Sequence, residues 1–284
     1  MPTAVPPPSA GRSVRFAGVG PDSGSPEAFY LPTGVDTYRP TLAAQGPWDP
    51  ALQHGGPPTA LLAAAIERHA GPDDLRIARM TAEFLRPVPL AELAVRVATV
   101  RSGRRVQLVE AELVHDGVVV MSARAWRHTT VADRTPAPTA STPPPPVPPA
   151  DPAVVRRLWN SFGYGRALDW RPTAGDPGGG GPSAVWARMR GALVAGWKVT
   201  GLDRLLVLAD STNGVSLELP LTEWLSMPTA LTVTVLRPPV GEWVHLDART
   251  HLSADGIGLS HGALSDPDGL VAMATQPLYV APVG

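Results

Sequence analysis

The chain has no cysteine among its 284 residues. The absence of thiols excludes disulfide bonds, thiolate metal sites and a cysteine nucleophile. The seven histidines show neither an HExxH motif nor another paired ligand spacing, which argues against a hydrolytic metal centre. A G-x-S-x-G motif is also missing, so nothing supports a serine hydrolase. We therefore expect neither a metal nor a redox cofactor.

The chain also lacks a charge imbalance, since its formal net charge is −1 at pH 7. A nearly neutral protein offers no electrostatic case for binding nucleic acid or an anionic membrane surface. No apolar run approaches the about 20 residues that a transmembrane helix needs. The N-terminus has no apolar core of a secretory signal. These features predict a cytoplasmic protein with neither nucleic acid nor membrane as a partner.

One segment combines glycine and proline in an unusual way. Residues 53–62 read QHGGPPTALL. Glycine lets the backbone approach a ligand closely, and proline is tolerated in the first turn of a helix. The unpaired N–H groups and the dipole of a helix start favour a developing negative charge. The segment predicts a buried helix over residues 57–69 whose start either faces a ligand oxygen or is simply a tight turn into the core.

A repeat divides the chain into two halves. Residues 84–89 read FLRPVP and residues 235–240 read VLRPPV, with Arg86 and Arg237 standing 151 residues apart. The strand-like flanks of both segments recur as well. An element that recurs at a nearly constant offset indicates a duplicated domain.

Both halves predict a buried helix followed by four strands. Alternating polar and apolar residues, as in residues 105–114, are typical of a half-buried antiparallel strand. A helix with an antiparallel sheet around it is an α+β unit. The predicted strands cover residues 76–86, 91–100, 105–114 and 118–127 in the first half, and 230–237, 243–252, 256–265 and 270–280 in the second.

Proline-rich segments mark the predicted domain borders. Residues 1–27 form a disordered or loosely docked tail, because they offer little to bury. Residues 28–128 are the N-terminal unit and residues 151–284 the C-terminal unit. Residues 129–150, mostly Thr, Ala and Pro, are interpreted as a semi-rigid, polyproline-like spacer between them.

Asp210 is the second unusual feature. It ends the apolar run LLVLAD and is predicted to lie inside the second buried helix, over residues 202–211. A buried carboxylate is costly unless it is paired or has a function, and burial should raise its pKa unless hydroxyls such as that of Ser211 donate to it. Asp210 is either a structural residue or a general base that activates water.

The two halves together resemble the double hot-dog acyl-CoA thioesterases of the thioesterase II type, over about residues 29–280 without the linker. The resemblance rests on the glycine pair after His54 and on the LAD sequence that ends at Asp210. In single hot-dog enzymes of this kind, the glycines of one subunit and the acid of the other form one site. The fold that the resemblance implies is a tandem hot-dog, each unit a central helix wrapped by an antiparallel sheet.

The same resemblance implies that one composite site was kept and the other lost. The first half carries the glycines and the second half the acid. Ala63 stands nine residues after His54, where a single-unit enzyme would carry the acid. Gly201 stands nine residues before Asp210, where such an enzyme would carry the histidine.

The resemblance further implies a catalytic set of Asp210, Gln276 and Thr229. Asp210 would take a proton from a water molecule that the other two orient. Gln276 matches the family glutamine on the last strand, although a polar strand residue facing solvent would look the same. The family threonine falls near Pro228, so its neighbour Thr229 is the nearest candidate, with Thr232 and Thr234 further along the strand.

The implied substrate site consists of His54, Gly55 and Gly56. A backbone N–H of either glycine would polarise the thioester carbonyl and stabilise the oxyanion, and losing one such donor typically slows catalysis by about 10²–10³. His54 either contacts the substrate or satisfies groups at the helix end.

The implied activity is hydrolysis of acyl-CoA, or of an acyl-carrier thioester, to acid and thiol in fatty acid metabolism. A dehydratase or hydratase acting on acyl thioesters is an alternative, although Asp210 has no histidine close in sequence. A non-catalytic acyl-binding protein is another, which the imperfect threonine match favours. Hot-dog units of this kind often pair further through their sheets, so the resemblance leaves both a single double hot-dog and a homo-oligomer of them open.

Three expectations concern substrate recognition. Arg86 and Arg237 follow the repeat and are interpreted as structural. The arginines at the turn over residues 101–105 either meet a CoA phosphate or are solvated. The length of the acyl tunnel is expected to depend on Leu61, Leu62 and Met80.

Overall fold

A computed structural model of the chain describes residues 28–72, 74–131, 134–136, 139–151 and 159–283. The tail predicted over residues 1–27 lies outside the described residues. Across the described ranges, every helix is too short or too polar to span a bilayer.

The first half contains the predicted helix and all four predicted strands, preceded by a short hairpin. Ten of the thirteen residues of helix α1 are buried. A helix that is buried on almost every side needs no polar face, which explains its uniformly apolar sequence. The elements are β1 (Ala28–Gly34), β2 (Thr37–Pro40), a 3₁₀ turn (Leu42–Ala44), α1 (Gly56–Arg68), β3 (Leu75–Phe84), β4 (Leu93–Arg101), β5 (Val106–His115) and β6 (Val118–Thr129).

The second half repeats this order with additional short elements. The four strands predicted there are present with ends shifted by at most two residues, whereas β10 had not been predicted. The elements are α2 (Gly163–Arg166), β7 (Leu168–Ala174), β8 (Ser183–Met189), β9 (Ala192–Val194), α3 (Gly201–Ala209), α4 (Thr212–Val215), β10 (Trp224–Pro228), β11 (Ala230–Val235), β12 (Trp243–Leu252), β13 (Ile257–Asp266) and β14 (Gly269–Pro282).

The second buried helix is broken, which corrects the prediction that Asp210 lies inside it. Helix α3 ends at Ala209, Asp210 is its C-terminal cap residue, and α4 starts again at Thr212. The Thr212 hydroxyl donates to the Ala209 carbonyl at 2.7 Å. Ser, Thr and Asn compete for backbone hydrogen bonds in this way, so the polar sequence after Ala209 ends the helix.

All strands belong to one 14-stranded sheet that runs through both halves. Every pairing is antiparallel except that of β1 with β9. The α+β expectation is confirmed only in part, because among the described residues α1 is the single helix longer than nine residues. The strand order is β7-β8-β12-β13-β14-β11-β3-β6-β5-β4-β2-β1-β9, with β10 pairing β14.

The halves meet at β3 and β11 around a local two-fold axis. Thr81 lies directly opposite Thr232, and their hydroxyl oxygens are 3.0 Å apart. The two threonines are 151 residues apart, the same offset as the repeated arginines. Equivalent residues therefore face each other at the centre of the sheet.

Helices α1 and α3 pack against each other inside this sheet. A Cβ at Gly56 would lie 2.1 Å from the carbonyl oxygen of Val207, closer than any side chain can approach. Glycine is therefore required at this crossing for steric reasons. The contact brings the start of α1 next to the end of α3.

The linker between the halves is mostly exposed where it is described, but two hydrogen bonds attach it to the second half. The Trp186 indole N–H donates to the Pro145 carbonyl at 2.8 Å, and the Leu270 N–H donates to the Ser141 hydroxyl at 2.9 Å. Trp186 alternates with core residues Val185 and Ala187, so it faces the other side of the sheet. The linker covers that side.

Candidate active site

A cavity of about 390 Å³ opens between the two halves at the start of α1. Its polar groups, among them His54, Asp210 and Asn213, lie at the helix ends. Most of its wall is apolar, which suits a hydrocarbon chain better than a polar ligand. The large apolar residues of the wall are Trp48, Phe84, Trp159, Phe162, Leu217, Leu221 and Leu225.

The residues expected to set the length of an acyl tunnel are not part of this wall. Leu61, Leu62 and Met80 are fully buried in the core. The cavity lies beyond the N-terminal end of α1 rather than along its side, so residues one turn into the helix pack against the sheet. Their influence on the length of an acyl tunnel stays a prediction.

Asp210 of the second half lies against the first residues of α1 in the first half. The backbone N–H groups of Gly55 and Gly56 lie against its carboxylate and act to lower its pKa. The Gln276 side-chain amide donates to Asp210 Oδ1 at 2.8 Å. A Cβ at Gly55 would lie 2.8 Å from Asp210 Oδ2, so glycine leaves the carboxylate room to approach. The structure thus brings together the glycine pair, the acid and the glutamine.

The environment of Asp210 suits a proton acceptor at neutral pH. Burial raises the pKa of Asp210 to about 7, although hydrogen bonds from Gly55, Gln276 and Gly56 lower it. A general base works best when its pKa lies near the pH at which it operates. Asp210 is therefore able both to accept and to release a proton.

Gln276 is completely buried and faces Asp210, so the alternative that it faces solvent is wrong. Its Nε2 also donates to the backbone carbonyl of Asp210 at 3.3 Å, and its Oε1 accepts the N–H of Asn213 at 3.1 Å. With both ends of the amide engaged, Gln276 fixes the position of the carboxylate.

His54 satisfies the helix end and also lines the cavity. Its Nδ1 accepts the N–H of Gly56 at 3.1 Å and lies 3.2 Å from Asp210 Oδ2. Burial lowers the pKa of His54 to about 3, so the imidazole is neutral and the contact is not an ion pair. Because Nδ1 is an acceptor here, its contact with Oδ2 is favourable when Oδ2 carries a proton.

Tyr164 and Ser211 pack next to His54 and the end of α3 and keep them in position. The Tyr164 ring stacks on His54 with centroids 3.7 Å apart. Its hydroxyl donates to the Val207 carbonyl at 2.8 Å and lies 2.7 Å from the Ser211 hydroxyl. Tyr164 was missed in the sequence, because no repeat or motif marks it.

Asn213 and Ser226 are two further polar residues of the cavity that sequence reasoning missed. The Asn213 side-chain amide donates to the Ser226 carbonyl at 2.8 Å, and the Ser226 hydroxyl donates to Asn213 Oδ1 at 3.1 Å. The polar sequence after Ala209 was the available signal for Asn213. Nothing in the sequence around Ser226 sets it apart.

Thr229 lies at the rim of the cavity, in the turn between β10 and β11. Its side chain is exposed. Its backbone joins the halves, since its N–H donates to Pro277 O at 3.1 Å and its carbonyl accepts the N–H of Phe84 at 3.0 Å. Within the described part of the chain, no hydrogen bond joins the Thr229 hydroxyl to Asp210.

The equivalent helix start in the second half is occupied by its own residues. Thr200 and Asp203 cap the start of α3. The Asp203 N–H donates to the Thr200 hydroxyl at 3.1 Å, and the Thr200 N–H donates to the Asp203 carboxylate at 2.8 Å. A Cβ at Gly201 would lie 2.6 Å from Pro239 O, and Ala63 at the position of the acid is core. The start of α1 lines the cavity and the start of α3 does not, so the candidate site lies at α1.

Metal chemistry has no candidate site in the ranges that the structure describes. No three His, Asp or Glu side chains there lie close enough to hold an ion.

Two family descriptions match the chain. The acyl-CoA thioesterase N-terminal domain matches residues 44–128, and the acyl-CoA thioesterase C-terminal domain matches residues 136–280. No curated protein sequence matches the chain.

Solved structures of similar fold cover nearly the whole chain. A hot-dog protein of unknown function from Alicyclobacillus acidocaldarius shares 20% identity and a TM-score of 0.67, over 90% of this chain and 97% of that one. Acyl-CoA thioesterase II TesB2 from Mycobacterium marinum shares 18% identity and a TM-score of 0.63, over 89% and 94%. The tesB protein from Mycobacterium avium subs paratuberculosis shares 16% identity and a TM-score of 0.64, over 89% of this chain and 96% of that one. At these identities the likeness establishes the hot-dog fold alone.

Proposed function

This chain belongs to the acyl-CoA thioesterase family, and we propose that it hydrolyses its substrate at the composite site with Asp210 as the general base. Thioester hydrolysis is the activity of the family. The observation that carries the assignment of the base is the position of Asp210, which is buried against the start of a helix from the other half and has a pKa near neutrality.

The acyl group enters the apolar cavity, and the thioester carbonyl lies at the start of α1. In the free protein, the N–H groups of Gly55 and Gly56 face Asp210 and lower its pKa. A bound carbonyl oxygen would take over one of these donors. The carbonyl then becomes polarised, and Asp210 becomes a stronger base because it has lost a hydrogen bond that lowers its pKa.

Hydrolysis follows in two steps. A water molecule attacks the carbonyl carbon while Asp210 accepts one of its protons, which gives a tetrahedral intermediate whose oxyanion the glycine N–H stabilises. The intermediate collapses with cleavage of the carbon–sulfur bond. The leaving thiolate takes the proton back from Asp210, so acid and thiol are released and the site returns to its initial state.

The neighbours of Asp210 position its carboxylate in both the ionised and the protonated state. Gln276 donates to the ionised carboxylate. His54 Nδ1, which accepts the N–H of Gly56, lies 3.2 Å from the Oδ2 that carries the proton in the other state. Thr229, at the rim, orients the attacking water only if the turn before β11 moves inwards. Asn213 and Ser226, which already face the cavity, are alternatives for that role.

A hydratase or dehydratase is the second candidate, because the structure brings a histidine close to Asp210 although the sequence does not. His54 Nδ1 lies 3.2 Å from Asp210 Oδ2. This candidate is less well supported, since burial keeps His54 neutral and its Nδ1 already accepts the Gly56 N–H. Incubation with a trans-2-enoyl-CoA, followed by analysis for the 3-hydroxyacyl product, tests it.

A thiol-release assay with short, medium, long and aromatic acyl-CoAs tests the thioesterase assignment. We expect Asp210→Asn to lower kcat/KM by at least about 10³, because the amide cannot accept the proton of water. Asp49→Asn is the matched control, since Asp49 lines the same cavity and its Oδ1 only accepts the N–H of Ala51 at 2.8 Å. Equal activity of Asp210→Asn and wild type would remove Asp210 from the mechanism.

The proposal also covers the cellular setting, the domain borders and the association of this protein. The setting is fatty acid metabolism in the cytoplasm, where acyl-CoA is the substrate and an acyl-carrier thioester is the alternative. The domain borders are those predicted from the proline-rich segments. Double hot-dog units associate further, which measurement of the molar mass in solution would test.

A further inference from the structure

The two arginines of the repeat have different surroundings. Arg237 donates from both terminal nitrogens to the Asp266 carboxylate and from one of them to Gly269 O. Asp266 is completely buried and also accepts the N–H groups of Val240 and Asp268. Burial works against the ionised form, but these donors hold the pKa of Asp266 below its usual value. Arg237 is a structural residue, as the repeat predicted.

Arg86 keeps the backbone of the repeat but has lost the acid. Its N–H donates to Val120 O, and the N–H of Arg237 donates to Val271 O, which is again 151 residues further on. His115 stands at the position of Asp266, where it contacts Glu92 O at 3.0 Å and the carboxylate of its neighbour Asp116 at 3.5 Å.

The guanidinium of Arg86 is therefore free to bind a ligand. Among the described residues it forms no hydrogen bond or ion pair, and its side chain is exposed. It lines the cavity, where it is the only lysine or arginine of the described wall. The interpretation of Arg86 as structural is wrong, because the partner that makes Arg237 structural is absent.

We propose that Arg86 binds a phosphate group of the CoA half of the substrate at the mouth of the cavity. The inference rests on the proposed function. The wall is mostly apolar, Asp210 is buried and Arg86 is exposed. With the thioester at Asp210 and the acyl chain against the apolar wall, the thiol half extends outwards past Arg86. The phosphates of CoA lie in that half, and a guanidinium binds a phosphate through paired hydrogen bonds.

Binding of CoA itself tests the proposal without any turnover. Isothermal titration of wild type, Arg86→Gln and Arg96→Gln with CoA and with pantetheine separates the phosphates from the rest of the molecule. We expect Arg86→Gln to weaken CoA binding by about tenfold and Arg86→Lys to restore part of it, since a hydrogen bond to a charged group contributes about a factor of ten. Arg96, an exposed arginine on β4 that does not line the cavity, controls for the change in net charge.

Kinetics then distinguish the two sources of an anion. For the same acyl chain, Arg86→Gln should lower the ratio of kcat/KM for the CoA thioester to that for the N-acetylcysteamine thioester by about tenfold. A loss confined to N-acetylcysteamine thioesters with a terminal carboxylate on the acyl chain would overturn the proposal in favour of a dicarboxylic acyl group. In the titrations, an equal loss of affinity for pantetheine and CoA in Arg86→Gln, or no loss of affinity for either, would also overturn the proposal.

These outcomes are separate from failure of the proposed function. If wild type binds CoA and Arg86→Gln binds it about tenfold more weakly, the arginine site stands even when no thioester is hydrolysed. If thioesters are hydrolysed and CoA binding is unchanged in Arg86→Gln, the thioesterase stands and the arginine site falls.

Discussion

At the scale of single residues, the pKa of Asp210 depends on the groups that surround its carboxylate. Burial and three hydrogen-bond donors act on its pKa in opposite directions, and the result is about 7. Two of those donors are backbone N–H groups from the other half of the chain. The pH dependence of the protein should therefore report on this one carboxylate.

Gln276→Ala should move the pH profile of kcat/KM to higher pH. The wild-type value should rise about tenfold per pH unit below the midpoint and level off above about 7, because the ionised carboxylate is the active form. Removing the Gln276 donor removes a hydrogen bond that lowers the pKa, so the midpoint increases. An unchanged midpoint in the variant would show that Asp210 does not govern the profile.

Asp210 should also make stability depend on pH. Its pKa in the folded protein lies above its value of 3.8 in the unfolded chain, so the folded state binds more protons between those values and loses stability as pH rises through them. From pH 4 to 8 this loss is on the order of 3 kcal/mol, and Asp210→Asn should lack it.

Urea unfolding of wild type and Asp210→Asn at several pH values measures this difference. The free energy of unfolding of the variant, relative to wild type, should increase with pH. The same difference at pH 4 and pH 8 would contradict the raised pKa.

At the scale of secondary-structure elements, the crossing of α1 and α3 decides the site. Gly56→Ala should destabilise the protein by about 1–3 kcal/mol and reduce activity, because a Cβ 2.1 Å from Val207 O forces the helices apart. Gly214→Ala is the matched control, since nothing lies within 4 Å of its Cβ position and alanine favours helix by up to about 1 kcal/mol.

Urea unfolding measures the free energy of unfolding of both glycine variants. Acyl-CoA turnover by Gly56→Ala measures how far displacement of the helix impairs the site. A Gly56→Ala protein as stable as wild type would mean that the helices separate at no cost.

The break between α3 and α4 is the element that the sequence pattern described least well. The apolar periodicity up to Ala209 is helical, and the pattern predicted that the helix continues through Asp210. The structure ends it there because the following hydroxyl and amide side chains take over backbone hydrogen bonds. At this helix end, the Asp210 carboxylate accepts a hydrogen bond from Gln276 on β14.

At the scale of the whole molecule, the linker and the central strands unite the halves. Trp186→Phe should lower the free energy of unfolding by about 1 kcal/mol, because it removes the hydrogen bond to Pro145 O. Hydrogen exchange at the Leu270 N–H, which donates to Ser141 of the same linker, should become faster. Trp126→Phe is the control, because among the described residues the Trp126 indole N–H forms no hydrogen bond and its ring faces Arg101. Unchanged exchange at Leu270 would show that the two linker contacts are independent.

The sequence by itself determined the duplication, the helix α1 and the eight long strands, because these depend on local periodicity and on the repeat offset. It also supplied the residues that meet at the site. His54, the glycine pair, Asp210 and Gln276 were singled out by their types, by their places in the pattern and by resemblance to a known family. Their roles in catalysis stay predictions.

Only the tertiary structure decided what those residues touch. Apolar periodicity records which face of an element is buried but not which element covers it, so it did not show that Leu61 and Met80 lie in the core and outside the cavity wall. The loss of a partner for Arg86 became visible only when Arg237 was seen bound to Asp266. Contacts between residues this far apart in sequence depend on how the two halves pack around their local two-fold axis, and packing of that kind leaves no local pattern in the sequence.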